Sequence, residues 1–204
     1  MIVGKNTIVN EHIREKLRNF KVEKIAVIEP ELLKNSADNS EAVLIAAKKE
    51  YLEGVNSVKV IINDLAAGRE LDYEKINRIS GSFYENIRSN FAVIECMKQI
   101  KNADEYTYSH CVNVSLYSML IGKWLKLPEN EIRLLMIAGL LHDVGKAKVP
   151  FEILNKPGPL TQKEFEVIKK HSEYGYEIIK DIPGIDEKVK NAVLMHHEKE
   201  NGKG

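Results

Sequence analysis

The stretch Leu140-Leu141-His142-Asp143-Val144-Gly145-Lys146 decides how this chain is read. An apolar run ends in an adjacent imidazole and carboxylate, and a glycine and a lysine follow. Neutral imidazole and ionised carboxylate are both good ligands for divalent cations. Alone, such a dipeptide says little. The other histidines give it weight.

Five of the six histidines lie in the C-terminal half: His110, His142, His171, His196 and His197. Each sits on, or at the end of, a segment whose apolar residues recur at helical spacing. One imidazole on such a face is ordinarily a core residue with its own hydrogen-bond partner. Five of them, with an aspartate beside one, would each need a separate buried partner. A metal satisfies several at once. Five imidazoles and one carboxylate exceed what a single tetrahedral site needs. They suit two metals bridged by Asp143, one oxygen to each. With no thiolate in the set, iron or manganese is favoured, and zinc, cobalt and nickel stay compatible. Such a pair can deprotonate a bridging water, position a phosphodiester and offset charge developing at phosphorus.

Working outward, the spacing predicts a helix from about Glu105 to Leu125, with His110, Val114, Tyr117, Ile121 and Trp124 along a buried stripe. Pro128 suits the first turn of the next helix, whose face through Ile132, Leu135, Met136, Gly139 and Leu140 leads to His142 and Asp143. Pro150, Pro157, Gly158 and Pro159 predict a loop after Lys146. Thr161-Gln162-Lys163-Glu164 has capping-box spacing and opens a helix through Phe165, Ile168, His171, Gly175 and Ile179. Pro183-Gly184 breaks it, and Asp186 caps a last helix that carries Val189, Ala192, Val193 and His196.

The N-terminal half is less telling. Asn10 can cap a short helix with Ile13 and Leu17 on its apolar face, where His12 reads as a solvated surface histidine. Lys24 to Ile28 is the best strand candidate, closed by Glu29-Pro30. Residues 35–39 read as a polar loop or a helix entry. A helix from Ser40 to about Leu65 shows Val43, Ala47, Tyr51, Val55, Val58 and Ile62 on one face, and Gly68 ends it. Asp72 caps the next, with Ile76, Ile79, Phe83 and Ile87. These helices read either as a connector to an input module or as extra layers on one core.

The 204 residues suffice for one good core, and 30 basic residues balance 30 acidic ones. That balance argues against a nucleic-acid polymer as partner, which calls for a basic excess. No apolar run approaches the roughly 20 residues of a membrane span. Neither is there a signal-peptide core, so the chain reads as cytoplasmic. Cys96 and Cys111 form no disulfide framework and read as reduced, buried thiols.

The run from Tyr106-Thr107-Tyr108-Ser109-His110 through Leu140 to Lys146 carries a further message. With Ile153-Leu154-Asn155-Lys156-Pro157-Gly158, His171 and His196-His197-Glu198, it resembles the HD-GYP subgroup of the HD phosphohydrolase superfamily. The resemblance covers about Asp104 to Gly204. It implies a mainly α fold, an HD-type helical bundle, to which the strand candidate adds a small α/β N-terminal portion. Residues 1–100 would be a regulatory or connector region, and residues 101–204 the phosphohydrolase domain. It also implies hydrolysis of cyclic di-GMP to a linear dinucleotide or GMP. Carried over by position, His110 and His142 ligate one metal, Asp143 bridges, and His171, His196 and His197 ligate the other. Lys146 faces the substrate phosphate, where an ammonium can offset phosphoryl charge.

Two departures from the family pattern matter. Members with a third metal have a glutamate where this chain has Tyr106, so two metals are expected. The Asn201-Gly202-Lys203-Gly204 end resembles the start of the segment finishing in Gly-Tyr-Pro, and a later ligating aspartate is not reached. The domain is therefore expected to be incomplete at its C-terminus, with apolar helix faces uncovered. The leading expectation is a cyclic di-GMP phosphodiesterase in which a metal-bridging hydroxide attacks phosphorus in line. The alternatives are a catalytically inactive nucleotide- or partner-binding signalling module, or an HD phosphohydrolase of another nucleotide. A homodimer or a signalling partner engaged through the N-terminal region completes the expected set.

Overall fold

The structure, a computed structural model, describes residues 11–20, 30–87, 95–96 and 106–202. Every regular element among them is helical. The strand candidate Lys24–Ile28 lies outside the described residues. By its contacts the chain divides into two compact units, Met1–Glu41 and Ala42–Gly204.

The first unit holds α1 (Glu11–Asn19) and the opening of α2 (Pro30–Ala66). Residues 35–39, read as a polar loop or a helix entry, lie within helix α2. Ser, Asn and Asp are only mildly unfavourable inside a helix, and no glycine or proline interrupts them. The side chain of His12 is outside the described residues.

In the second unit, α2 buries Ala47, Tyr51, Val55, Val58 and Ile62, while Val43 is exposed. It ends as the glycine predicts. Gly68 has φ +79, its N–H donates to Leu65 O at 2.9 Å and Arg69 N–H donates to Asp64 O at 2.9 Å. This pair of bonds is a Schellman closure. Asp72 caps α3 (Tyr73–Asn86) by accepting from Lys75 N–H. Ile76, Ile79 and Phe83 go into the same core as the C-terminal helices. Gly54 of α2 makes room for the Phe83 ring, which lies where a Cβ would be. Of the two readings of these helices, layers on one core is the one found.

The central pair is α4 (Tyr106–Trp124) and α5 (Glu129–Leu141), packed closely along their length. A Cβ at Gly139 would lie 2.7 Å from Ser115 N and 2.8 Å from Ser115 Cα, so glycine lets the two backbones approach. The expected buried stripe of α4 is corrected here. Tyr117, Ile121 and Trp124 are exposed, and the core face is Cys111, Val112, Leu116, Met119 and Leu120. The helix is apolar nearly all round, so periodicity could not choose its face.

A 3₁₀ turn (Val144–Lys148) and the single-turn α6 (Phe151–Leu154) fill the expected loop. The helix expected through Ile179 is two, α7 (Gln162–Lys169) and α8 (His171–Ile179). Thr161 and Glu164 form the complete capping box of α7. Asp186 caps α9 (Glu187–Met195) by accepting from Lys188 N–H at 2.8 Å. No helix among the described residues is long and apolar enough to cross a membrane.

Candidate metal centre

Four elements deliver the six ligand candidates to one place. His110 comes from the first turns of α4, and His142 caps the C-terminus of α5 with Asp143 directly after it. His171 opens α8, and His196 and His197 follow the last turn of α9. The break between α7 and α8 puts His171 at a helix start, close to Asp143. Gly145 makes that approach feasible. A Cβ there would collide with the His171 carbonyl oxygen and the Gly175 nitrogen. Any larger residue at 145 would push α8, and with it His171, away from the carboxylate.

The ligand candidates form two groups, His110, His142 and Asp143 in one, and His171, His196 and His197 in the other, each compact enough to hold a metal ion. Asp143 lies between them, almost fully buried. Its Oδ2 is 3.1 Å from His142 Nε2 and 3.8 Å from His110 Nε2. Its Oδ1 is 3.3 Å from His171 Nε2 and 3.9 Å from His196 Nε2. Each oxygen thus faces a different group. Lys146 Nζ donates to Oδ2 at 2.7 Å.

The tautomers follow from the backbone. His142 Nδ1 lies 2.9 Å from Gly139 O, His171 Nδ1 lies 2.7 Å from Ile168 O, and His196 Nδ1 lies 2.9 Å from Val193 O. A carbonyl only accepts, so these three Nδ1 atoms carry the proton and each Nε2 presents a lone pair. His171 Nε2 meets His196 Nε2 at 3.0 Å and His197 Nε2 at 3.2 Å, and His142 Nε2 meets His110 Nε2 at 3.3 Å. Between His171 and His196, both protonated at Nδ1, the facing lone pairs repel unless a cation lies between them. Burial, with the neighbouring imidazoles, pushes His196 down to about 4, so protonation does not supply that cation near neutral pH. His110 and His197 are lowered for the same first reason, desolvation. The donor set therefore fits divalent metals, with ring protons held by carbonyls as in metal sites generally.

Burial by itself would raise the Asp143 carboxyl. The adjacent His142 and His171 rings and the charge of the Lys146 ammonium outweigh it and hold the group well below the usual carboxylate range. It stays an anion. The buried Cys111 beside His110 has its thiol pushed up to about 12, first by burial, and is no thiolate ligand. Both cysteines are free and buried, as expected.

The groups open onto a cavity of about 420 Å³ with apolar walls from Val114, Leu135 and Ala192. A groove of similar size between α2 and α3 contains no histidine. Sequence reasoning named all six ligand candidates and Lys146. It missed the glycines that bring them together, Gly139 and Gly145, because close backbone approach leaves no periodic signal. The side chain of Tyr106 is outside the described residues.

A helical bundle that gathers histidines around a His-Asp pair defines the class of HD domains, and comparison agrees. Residues 107–203 match the family model described as HD domain, and over those residues the chain is an HD domain. Within that family, the chain is similar to the HD-GYP subgroup. It is 32% identical over 148 residues to a cyclic di-GMP phosphodiesterase of Pseudomonas aeruginosa, covering 72% of this chain and 36% of that protein. A 3'3'-cGAMP-specific phosphodiesterase of Vibrio cholerae is 35% identical over 61% of this chain and 26% of its own length. The cyclic di-GMP phosphodiesterase response regulator RpfG of Xanthomonas campestris is 34% identical over 54% of this chain and 30% of its own. The chain spans about a third of the length of these relatives. An HDG"Y"P protein of Bdellovibrio bacteriovorus shares the fold, with a TM-score of 0.63, 21% identity and coverage of 93% of this chain and 67% of that one.

Proposed function

We propose that this chain is the HD domain portion of a metal-dependent phosphodiesterase that hydrolyses cyclic di-GMP to a linear dinucleotide or GMP. The observation that carries the reading is the divided carboxylate, with Asp143 Oδ1 toward one imidazole group and Oδ2 toward the other. His110, His142 and Oδ2 would hold one divalent metal. His171, His196, His197 and Oδ1 would hold the second. The nitrogen and oxygen donors favour iron or manganese. Bound metals supply Lewis acidity, which lowers the pKa of water and offsets charge on phosphoryl oxygens.

The chain's own residues do the rest. The carbonyls of Gly139, Ile168 and Val193 fix three imidazoles with Nε2 inward. Asp143 remains ionised and so needs no proton removed before it ligates. Lys146 places an ammonium at the cavity edge, within reach of a phosphate oxygen. Val114, Leu135 and Ala192 give the cleft apolar walls beside the imidazoles. In this reading the regulatory region of residues 1–100 includes α2 and α3, which share one core with the C-terminal helices, and the protein acts in the cytoplasm.

The test is incubation of the full chain, loaded with Mn²⁺ or Fe²⁺, with cyclic di-GMP and chromatographic separation of products. Linear dinucleotide or GMP is expected, lost on chelation. Intact substrate in the presence of bound metal would contradict the reading. A second reading, 3'3'-cGAMP as substrate, is supported by the similarity to the Vibrio cholerae enzyme. A side-by-side assay with both cyclic dinucleotides decides between them.

A further inference from the structure

The two oxygens of Asp143 have unequal surroundings. Oδ1 faces imidazoles, His171 Nε2 at 3.3 Å and His196 Nε2 at 3.9 Å. Oδ2 faces His142 and His110 and also accepts from the Lys146 ammonium at 2.7 Å. Among the described residues, no lysine or arginine pairs with Oδ1. The local chain sets this asymmetry. Lys146 N–H donates to Asp143 O at 3.0 Å, so the 3₁₀ turn starts the lysine side chain beside its own carboxylate. That side chain is 23% exposed, and Lys146 also lines the cavity.

An ammonium and a divalent cation on one carboxylate oxygen repel each other. A metal entering between His110, His142 and Oδ2 must move Nζ aside or tolerate its charge at close range. A metal entering the other group meets three imidazoles and an oxygen with no ammonium on it. Ligand number and charge both favour the second group.

Resting on the two-metal reading above, we infer that the metals load in order, the His171, His196 and His197 group first and the His110 and His142 group second. Lys146 sets the gap by competing for Oδ2. The early metal is structural in practice, tying α8 and α9 to Asp143. The late metal follows the supply of free divalent cation, and its arrival turns the lysine ammonium from Asp143 toward the cavity, where an anionic phosphate would lie. Occupancy of the second position therefore gates the centre.

Calorimetric titration of the chelator-stripped full chain with Mn²⁺ tests this directly. Two binding steps of different affinity are expected. His197→Ala removes or weakens the early step and His110→Ala the late one. Lys146→Met tightens the late step roughly 10-fold, the scale on which groups around metal ligands alter affinity, and leaves the early step in place. Lys146→Arg keeps the gap, and Lys146→Gln repeats the test should Lys146→Met not fold. Two equal steps in the unmodified chain, or a late step that Lys146→Met and Lys146→Gln leave unchanged or weaken, would overturn the order while leaving two metals intact. No binding at all would overturn the two-metal reading itself.

Discussion

The two ligand groups around Asp143 are built by different means. The His110 group depends on two long helices, α4 and α5, brought together by Gly139 and a wide apolar contact. The His171 group depends on short elements, the 3₁₀ turn, α8 and the end of α9, locked by the contact at Gly145. The first rests on a helix pair packed in the core, although His110 is partly exposed and His142 lies just past the end of α5. The second draws on the starts and ends of short helices, with His171 buried against Gly145, where one added methyl can open it. The carboxylate between them shows that one buried anion can organise both.

Several substitutions sharpen that contrast. Asp143→Asn removes the charge shared by both groups. It should weaken metal binding by more than about 100-fold at both positions, beyond the range seen when only outer partners of ligands are changed. Elemental analysis after dialysis reads this, and retention of both metals would break the account. Gly145→Ala forces a Cβ into the His171 carbonyl, costing about 3 kcal/mol of stability by overpacking, and should loosen the His171 group selectively. Gly139→Ala, which pushes on Ser115, should instead part His110 from His142. If both substitutions act on the same binding step, the two-group description fails.

Metal-free protein should also respond to pH with a definite sign. In the unfolded chain the histidines take up protons near their ordinary value of 6.5, whereas folded His196 does so only near 4. Between those values the unfolded state binds more protons, so stability falls as pH drops through that window. His110 and His197, also lowered, act in the same direction. Asp143, held low, adds a further loss as pH falls below the ordinary carboxylate range. Urea unfolding of the chelator-stripped chain at pH 7.5, 5.5 and 4.5 measures it, and a flat profile would argue that the imidazoles are not held as described. Smallest is Thr161→Ala, which removes the α7 cap. It should cost about 1 kcal/mol and leave metal binding untouched.

Much of this was legible in the sequence because caps and ligands have local signatures. Asp72, Thr161 and Asp186 each cap the helix their spacing predicts, and the histidines mark the ends of the segments that carry them. The face of α4 was not legible. Its residues are apolar on nearly every side, so Tyr117, Ile121 and Trp124 fit the helical period as well as Leu116 and Met119 do, and only packing against α5 separates them. The break at Lys170 was hidden for a related reason. No glycine or proline marks it, and the turn is imposed by the seating of α8 on Gly145. Where the fold relies on close approach between elements distant in sequence, the spacing of one segment carries no record of it.

The central claim is that Asp143 bridges two metals. A crystal structure of the Mn²⁺-soaked chain, with anomalous differences recorded, tests this most directly. The expected result is two peaks, each about 2.0–2.2 Å from a different oxygen of Asp143, one among His110 and His142 and one among His171, His196 and His197. A single peak, or two peaks neither of which touches that carboxylate, would contradict it.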